Sequence, residues 1–542
     1  MSGALLQISS LGPQDTYLTG NPEITLFKKV YMRYTNFSLE TVQVTFDGGS
    51  INFGDTATVT LEQTGDLISK AVLVITLDQI TSNALWGYVD RLGHAMIDNI
   101  TVSIGQSTID IHTFDWIDTY HNLYTNQSHE ERYNTMIGNT PVLKQLNTVH
   151  PSYNLYIPLN FWFCKTSTST FPICSLKNQK FQINVTLKNA TDIINYSGIT
   201  PPISSDLPTI ASGYLLVDYI YLENSERNLF QTNNHEYLIE QVQDMTDTLT
   251  AQTTKISLTF DKPCKYMIWF ANLYKYYTRT PYLAWAYDDK WDVTRDLFAK
   301  IVWLATRQGL DCNDPINPII NFGVNFVNIG QVPSTIVGGN SILETLASKV
   351  NALILFAEYE NGDIIAKANP DNVILTKNTI TMEDMSYTVD EINAATVQST
   401  PDQINFMDIY TISIIDWFNT GNFINRTDNP IVQSSFQING KNKFQPRDAY
   451  FYNYLQPYYY FTNTPPDGIN AYSFSLDPEN VQPTGTINLT YINSKDLLVT
   501  LGRYNNTDNT YFNTYFKQGQ IRIFTLSYTY LKIFEGNAAL AY

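Results

Sequence analysis

The chain has 542 residues and a mass of 61.7 kDa, more than one hydrophobic core usually covers, so we expect two or more domains. It carries 33 Lys and Arg against 51 Asp and Glu, a formal charge of −18. This acidity argues against a protein that coats nucleic acid by gripping its phosphates. Charged residues make up 15% and aromatic residues 13% of the chain, which is typical of a folded protein that hides much of its surface.

The predicted elements are mostly short strands separated by turn residues. Residues 42–46, 56–61 and 100–104 are rich in β-branched residues, and the first and third of these runs end at Asp or Gly turns. Helical spacing of apolar residues occurs near 116–124 and 342–355. Many strands and few helices predict an all-β protein of sandwiches or barrels.

A weak internal repeat divides the chain. Residues 213–222 and 521–533 share a run of β-branched and aromatic residues, and 181–185 and 485–489 precede them in the same order. Similar composition could produce the same likeness by chance. The polar stretch 223–240 between the halves reads as a connector, and prolines break the strand pattern into long loops within 275–400.

The four cysteines show no C-x-x-C spacing and are too few for a disulfide framework, which predicts a reducing compartment such as the cytosol. The N-terminal residues lack the basic flank and long apolar run of a signal peptide. No apolar stretch is long enough to cross a bilayer. We therefore expect no membrane-spanning segment.

Sequence motifs for catalysis are missing. None of the six histidines lies in H-E-x-x-H, and G-x-G-x-x-G, G-x-x-x-x-G-K-[ST] and G-x-S-x-G do not occur. The sequence therefore predicts no enzyme, no catalytic residue, no cofactor and no metal site. The six histidines are His94, His112, His121, His129, His150 and His235.

Two aromatic clusters have a binding interpretation and a packing interpretation. Four tryptophans and three aspartates could line a sugar cleft, or the aromatics could pack a core or a subunit contact, which is favoured. They are Trp269, Trp285, Trp291, Trp303, Asp288, Asp289 and Asp292. The stretch 450–461 could stack nucleic acid bases, but no Lys or Arg stripe accompanies it, which favours a buried strand and subunit contact.

Four segments resemble, in order, the major capsid proteins of nucleocytoplasmic large DNA viruses. The most distinctive is DTYLTGNPEITLFK at residues 15–28, continued by YMRYTNFS at 31–38. The others lie at 92–116, at 219–242 and at 447–486. The positions that carry the motifs are Asn21, Pro22, Asp98, Gly105, Trp116, Asp448, Gln456, Pro457, Gln482, Pro483 and Gly485.

The resemblance implies two consecutive eight-stranded jelly rolls with long loops and a few short helices. Residues 1–25 would form an N-terminal arm, 26–222 the first jelly roll, 223–240 the connector and 241–542 the second jelly roll, with tower loops within 275–400. The motif positions would act structurally, with Pro457, Pro483 and Gly485 setting turns and strand ends.

The resemblance also implies a function and partners. Homotrimers would form pseudo-hexagonal capsomers that tile the icosahedral shell of a virion, assembled in the host cytoplasm. Partners would be neighbouring capsomers, minor capsid and penton proteins and an internal membrane, without direct nucleic-acid binding. The alternatives are a paralogous minor capsid or scaffold protein of the same fold, or a glycan-binding β-sandwich protein.

Overall fold

The computed structural model describes residues 2–23, 33–144, 147–196, 202–273, 429–502 and 519–541, together with five short strands between residues 357 and 388. The N-terminal segment forms two short helices, α1 (Gly3–Ser9) and α2 (Thr16–Thr19). No residue of 2–23 is buried, although several are apolar. This segment therefore makes no core with the rest of its own chain.

The first half of the chain is a sandwich of two four-stranded antiparallel sheets. Its strands are β1 (Phe37–Thr45), β2 (Thr56–Leu61), β3 (Leu67–Leu77), β4 (Ile80–Tyr88), β5 (Ile97–Ile104), β6 (Ser107–Thr113), β7 (Asn147–His150), β8 (Tyr153–Pro158), β9 (Phe181–Leu187), β10 (Ile194–Tyr196) and β11 (Ile210–Leu222). One sheet has the order β1-β11-β3-β8 and the other β2-β9-β5-β6, while β10-β4-β7 forms a small additional sheet. The three predicted strand runs lie in β1, β2 and β5, which confirms them.

Strand periodicity explains the sandwich. In β9 every second residue is buried, from Phe181 to Leu187, and the residues between them are half-buried. Alternate side chains of a strand point to opposite faces, so one face of each sheet fills the core. A shift of the strand pairing by one residue would turn the less buried residues towards the core. Burial of one face therefore fixes the register.

Short helices cap and connect these strands. They are α3 (Leu92–Ala95), α4 (Phe114–Tyr124), α5 (Glu130–Met136), α6 (Pro141–Lys144), α7 (Trp162–Lys165) and α8 (Asn224–Thr232). Single turns of 3₁₀ helix occur at Gln127–His129, Ser167–Ser169, Ile173–Ser175, Ala190–Ile193 and Ser204–Asp206. The predicted helix at 116–124 is α4, whereas the one predicted at 342–355 lies outside the described residues. No helix in the described part of the chain is long and apolar enough to cross a membrane.

The second half repeats this architecture. Its strands are β12 (His235–Leu249), β13 (Thr253–Ser257), β14 (Pro263–Leu273), β20 (Ile431–Ile438), β21 (Lys441–Asp448), β22 (Asn470–Ser473), β23 (Ile487–Asn488), β24 (Lys495–Leu501), β25 (Gly519–Phe534) and β26 (Asn537–Leu540). One sheet has the order β12-β25-β14-β22, with β23 beside β14 and β26 beside β25. The facing sheet has the order β13-β24-β20-β21.

Five further strands lie within the predicted tower loops. They are β15 (Ala357–Glu360), β16 (Asp363–Ala366), β17 (Val373–Thr376), β18 (Thr379–Met382) and β19 (Met385–Thr388). The strands β15 and β16 pair with each other, and β17, β18 and β19 form a three-stranded antiparallel sheet. The other residues of 275–400 lie outside the described part of the chain.

The internal repeat is confirmed for the last long strand of each half and wrong for the stretch before it. Residues 213–222 lie in β11 and 521–533 in β25, and each of these strands is second in the order of its sheet, β1-β11-β3-β8 or β12-β25-β14-β22. Residues 181–185 belong to β9, whose counterpart is β24. Residues 485–489 instead contain β23, which pairs with β14. Both stretches are short and β-branched, so composition could not distinguish them.

Among the described residues, two apolar cores hold the fold together. The smaller lies inside the second sandwich and includes Trp269, Leu497 and Ile523. The larger fills the first sandwich and continues into residues of β12, β14 and β25. The two sandwiches therefore share one continuous core rather than meeting through a polar linker.

Candidate functional site: the joint between the two sandwiches

The most distinctive surface is the outer face of the sheet β12-β25-β14, which we call the joint face. In β25, Ile521 and Ile523 face the core of their own sandwich, while Phe524 and Leu526 belong to the core shared with the first sandwich. Seven consecutive residues of β25, from Ile523 to Thr529, are buried. A strand covered on both faces reads as a continuous apolar run rather than an alternating one. The core of the second sandwich covers one face of β25, and the first sandwich covers the other face.

Helix α4 is the main element of the first sandwich that covers the joint face. It carries aromatic residues four positions apart, so that Trp116, Tyr120 and Tyr124 lie along one side of the helix. The ring of Trp116 lies 5.5 Å from that of Phe524. The Tyr124 hydroxyl donates a hydrogen bond of 2.9 Å to the hydroxyl of Tyr266.

A buried ion pair lies at the N-terminus of α4. The Asp115 carboxylate is 2% exposed and accepts hydrogen bonds from Arg522 Nε at 2.6 Å and Nη2 at 3.2 Å. Arg522 also lies 3.3 Å from the Asp244 carboxylate and donates to the Thr246 hydroxyl at 2.6 Å. A two-point Arg–carboxylate contact fixes both distance and orientation. It therefore sets how the first sandwich sits on the second.

A second buried charge cluster lies beside Tyr120. The Glu240 carboxylate of β12 binds the ammonium groups of Lys165, at the end of α7, and Lys265, in β14. Lys265 also donates to the Asn480 carbonyl at 2.8 Å. Removing either sign of charge from such a cluster would leave the other buried without a partner.

The pKa values in this cluster follow from burial and from the opposite charges. Burial alone would raise the pKa of Glu240, but Lys165 and Lys265 outweigh burial and lower it. Burial would lower the pKa of Lys165, yet the Glu240 carboxylate raises it above the usual range. Burial lowers the pKa of Lys265, and Glu240 offsets only part of that effect. The cluster therefore favours an ionised Glu240.

Strand β6, at the edge of the first sandwich, runs beside β12 in the joint. The Gln241 side chain donates to the Ile109 carbonyl at 2.6 Å, and the backbone N–H of Val242 donates to the Asp110 carboxylate at 3.0 Å. His112 lies 3.1 Å from Asp110, and its ring stacks on that of Phe161 at 4.1 Å. Polar groups at this edge are thus paired across the joint.

The histidines support packing rather than metal binding. His94 contacts the Asp118 carboxylate at 3.1 Å and the Tyr133 hydroxyl at 2.8 Å, and Arg91 pairs with the same carboxylate. Burial lowers the pKa of His94. Burial would raise the pKa of Asp118, but Arg91 and His94 hold it below its usual range. Among the described residues, no group of three or more His, Cys, Asp or Glu side chains could hold a metal ion.

Of the eleven motif positions, the structure places only Trp116 in the joint. The others are spread along the chain. Asn21 and Pro22 are exposed at the end of the N-terminal segment, Asp98 is exposed in β5, and Gln482 and Pro483 are exposed in the loop before β23. Gly105 has a φ of +63° in the turn between β5 and β6, and Gly485 has a φ of +135°, conformations that favour glycine.

The remaining motif positions lie at the end of β21 (Asp448) and in the helical segment that follows it (Gln456 and Pro457), where a buried strand was expected. Residues 449–460 are helical, with a π-helix at Phe451–Leu455 that runs into α9 (Gln456–Tyr460). The Asp448 carboxylate accepts from the Phe451 N–H at 3.1 Å and begins the helix, and Gln456 accepts from the Ser473 N–H at 3.2 Å. Pro457 lies at the start of α9, where the π-helix runs into it, and removes one backbone N–H donor from the continuous helical segment.

The sugar-cleft interpretation is wrong for Trp269. Its side chain is fully buried in the core of the second sandwich and donates to the Ser434 hydroxyl at 3.1 Å. It cannot therefore stack on a sugar from solvent. Trp285, Trp291 and Trp303, with the three aspartates Asp288, Asp289 and Asp292, lie outside the described residues.

Sequence reasoning did not find the charged residues of the joint. No sequence motif marks Lys165, Glu240, Lys265 or Arg522 as a buried charge. The available signal was that Lys265 and Arg522 interrupt otherwise apolar strands, in PCKYMIWF and IRIF. A charge inside such a run indicates a buried pair, because strands of this composition are covered on both faces.

Comparison with known protein families identifies the chain. Residues 25–223 match the model of the major capsid protein N-terminus, and residues 366–539 match the model of the large eukaryotic DNA virus major capsid protein. The chain belongs to the major capsid protein family of large eukaryotic DNA viruses. The role of this capsid protein is thus structural, in the virion shell.

Related capsid proteins match along their full length. This capsid protein is 29% identical over 579 residues to the major capsid protein of Phaeocystis pouchetii virus, and 27% identical over 607 residues to capsid protein 1 of Acanthamoeba polyphaga mimivirus, with 100% of each chain covered in both cases. The resemblance to this family is confirmed.

Solved structures confirm the fold of two consecutive jelly rolls. The capsid protein matches a chain of the PBCV-1 virus capsid, described by a quasi-atomic model, with a TM-score of 0.63 and 24% identity, covering 96% of this chain and 100% of that one. It matches the Faustovirus major capsid protein with a TM-score of 0.60 and 10% identity, covering 98% and 96%. In this chain the first jelly roll has two four-stranded sheets with a small three-stranded sheet beside them, and the second has one four-stranded and one six-stranded sheet.

Proposed function

We propose that three copies of the chain form a pseudo-hexagonal capsomer, and that such capsomers tile an icosahedral shell. The observation that carries the proposal is the joint. Two sandwiches of the same strand order are held together by one continuous core and by two buried charge clusters. Each chain thus presents two similar units in a fixed relation, and three chains present six.

We propose the division of the chain into an arm at 1–25, a first jelly roll at 26–222, a connector at 223–240 and a second jelly roll at 241–542, with tower loops within 275–400. The pairing of Phe37 with Leu222 supports the end of the first unit. Helix α8 follows directly, and β12 begins at His235. The connector so defined thus includes the first residues of a strand of the second sandwich.

We propose that the motif positions act structurally and that the protein catalyses no reaction. Asp448 begins a helix, Gly105 and Gly485 adopt positive φ, and Trp116 packs the joint. The partners we propose are neighbouring capsomers, minor capsid and penton proteins and an internal membrane, with assembly in the host cytoplasm. The net charge of −18 supports the absence of direct contact with nucleic acid.

The solution mass of the purified full-length chain tests the capsomer. Light scattering coupled to gel filtration should give about 185 kDa, three times the 61.7-kDa chain, and negative-stain images should show hexagonal outlines. A stable monomer at micromolar concentration would contradict the homotrimer.

A major role in the shell needs a separate measurement, because a minor capsid or scaffold protein could share the fold. Quantitative mass spectrometry of purified virions should place the chain among the most abundant components. Near absence from mature virions would indicate a scaffold instead.

A further inference from the structure

The two sandwiches can be aligned residue by residue through their strand registers. In the first, Leu216 of β11 pairs with Val72 of β3, and in the second, Phe524 of β25 pairs with Ile268 of β14. The third strand of each sheet, β3 or β14, contains one residue that has no partner in the neighbouring strand. This unpaired residue is Ser69 in β3 and Lys265 in β14, at corresponding places in the two sheets. These bulges fix the alignment without reference to sequence similarity.

The alignment shows that the counterpart of the joint face is uncovered. Phe524 and Ile268 are fully buried by the first sandwich. Their counterparts Leu216 and Val72 are only half-buried. In the second sandwich Glu240 pairs with Tyr528, and in the first Leu39 pairs with the aligned residue Ile220. Leu39 is therefore the counterpart of Glu240, and it is 64% exposed. We call the outer side of β1-β11-β3 the open face.

The element that covers the joint face also has an uncovered counterpart. Helix α4 follows β6, the last strand of the sheet β2-β9-β5-β6, and the helical segment 449–460 follows β21, the last strand of β13-β24-β20-β21. In α4 the aromatic row Trp116, Tyr120 and Tyr124 packs in the joint. The segment 449–460, which we call the open helix, carries a similar row four residues apart, listed with its exposures: Tyr450 68%, Tyr454 37% and Tyr458 74%.

Exposed aromatic side chains on one side of a helix are unusual for a surface that stays in water. Leu455 and Tyr459 extend the row and are 42% and 68% exposed. The rings of Tyr450 and Tyr454 lie 5.2 Å apart. Aromatic residues concentrate at protein–protein contacts, where charged residues are depleted. The open helix therefore has the composition of an interface.

We propose that the open helix of one copy packs on the open face of the next copy, in the way that α4 packs on the joint face within each chain. This inference rests on the proposed capsomer and names the surfaces that would hold it together. Each chain uses one face and one helix internally and has one of each left. Such a contact is head-to-tail, and a head-to-tail contact makes a closed ring when its rotation closes.

The open face is suited to reversible association because it lacks the charge clusters of the joint. Its counterpart of Glu240 is the aliphatic Leu39, and that of Lys265 is Ser69. The one acidic residue on its central strand, Asp218, lies opposite Lys70 and accepts a 2.6 Å hydrogen bond from Thr41. Packing the open helix here would bury no counterpart of the Glu240 carboxylate or of the Lys265 ammonium, whose desolvation is costly without a partner.

Charge placed on either surface tests the contact in the full-length chain. The face variant carries Leu39→Glu and Gln43→Glu, both at exposed positions of β1, and the helix variant carries Tyr450→Glu and Tyr458→Glu. The control variant carries Ile203→Glu and Tyr491→Glu at positions that are 68% and 85% exposed elsewhere. Circular dichroism and thermal unfolding of each variant verify that the fold is intact.

Light scattering should show wild type and control near 185 kDa and each interface variant near 61.7 kDa at the same concentration. The dissociation constant should rise at least about tenfold, because truncating or charging central contacts has effects of that order. An equal mixture of the two variants should form a dimer of about 123 kDa. In it the intact helix of the face variant meets the intact face of the helix variant, and no third copy can add.

The other outcomes separate this inference from the proposed function. Trimers of wild type and of both variants would overturn the inference and leave the capsomer standing. Loss of trimers in the face variant alone would mean that another segment, such as the apolar N-terminal residues 2–23, covers the face. A monomeric wild type would overturn the homotrimer together with the inference.

Discussion

The joint face and the open face occupy the same position in two sandwiches of the same strand order, yet they differ in chemistry. The joint face carries Glu240, Lys265 and Arg522 among large aromatics, and the first sandwich buries it. The open face is mostly aliphatic and polar, and it is half-exposed. A contact within one chain can hold buried ion pairs because its partners are always present, whereas a face that is alone before assembly must tolerate water.

The largest difference in unfolding free energy should appear when the aligned residues Phe524 and Leu216 are each replaced by alanine. Phe524→Ala removes a fully buried ring between Trp116 and Phe270 and should lower the free energy of unfolding by about 3–5 kcal/mol. Leu216→Ala, at the aligned position of the open face, should cost the monomer about 1 kcal/mol because the side chain is half-exposed. Denaturant titrations of both substitutions in the Tyr450→Glu, Tyr458→Glu variant, which the proposed contact leaves monomeric, measure both losses. Equal losses would mean that the two faces are covered alike in the monomer.

Neutralising the buried carboxylate should have the next largest effect. Glu240→Gln leaves Lys165 and Lys265 close together without their counter-charge, so we expect a loss of about 3 kcal/mol in unfolding free energy. The variant Glu236→Gln is the matched control, because its pair with Lys532 is solvent-exposed and should contribute less than about 1 kcal/mol. A loss no greater than that of the control would show that the cluster does not stabilise the joint.

A smaller loss should follow removal of one hydroxyl. Tyr124→Phe deletes the hydrogen bond from a half-buried ring to the buried Tyr266 and should lower stability by about 1–2 kcal/mol. Tyr459→Phe, on the exposed open helix, should change it by less than about 0.5 kcal/mol. If both substitutions were silent, the hydroxyl pair of the joint would contribute nothing measurable.

The smallest expected effect is the pH dependence of the free energy of unfolding between pH 7 and 5.5. It should arise mainly in the first half of the chain, because no histidine follows His235 in the sequence. Burial against Trp86 lowers the pKa of His150 to about 4. The unfolded chain then binds a proton below about pH 6.5 that the folded chain does not bind, so stability falls as pH falls from 6.5 towards 4. The loss should be about 1 kcal/mol between pH 7 and 5.5.

Denaturant titrations at several pH values check this histidine. His150→Phe should flatten the slope between pH 6.5 and 5.5, and His94, whose pKa is also lowered by burial, should account for part of the slope that remains. An unchanged slope would falsify the assignment to His150.

Sequence reasoning worked where the pattern was local. The alternation in 56–61 and the turn after Ile104 reproduce β2 and β5, and the apolar spacing at 116–124 reproduces α4. It failed for 450–461, where a run of aromatics suggested a strand. The chain there is helical because Asp448 caps it and residues four apart share one side. The spacing was readable, but aromatic residues favour strands by composition.

The sequence by itself determined the all-β class, the two-part organisation and the family, because strand periodicity, turn residues and ordered motifs are properties of the linear chain. Only the tertiary structure decided which faces meet. Glu240 lies 75 residues from Lys165, and Asp115 lies 407 residues from Arg522. The apolar runs around Lys265 and Arg522 indicate that these charges are buried, but nothing local identifies the distant carboxylate that pairs with each of them. Burial is decided by the packing of the whole chain.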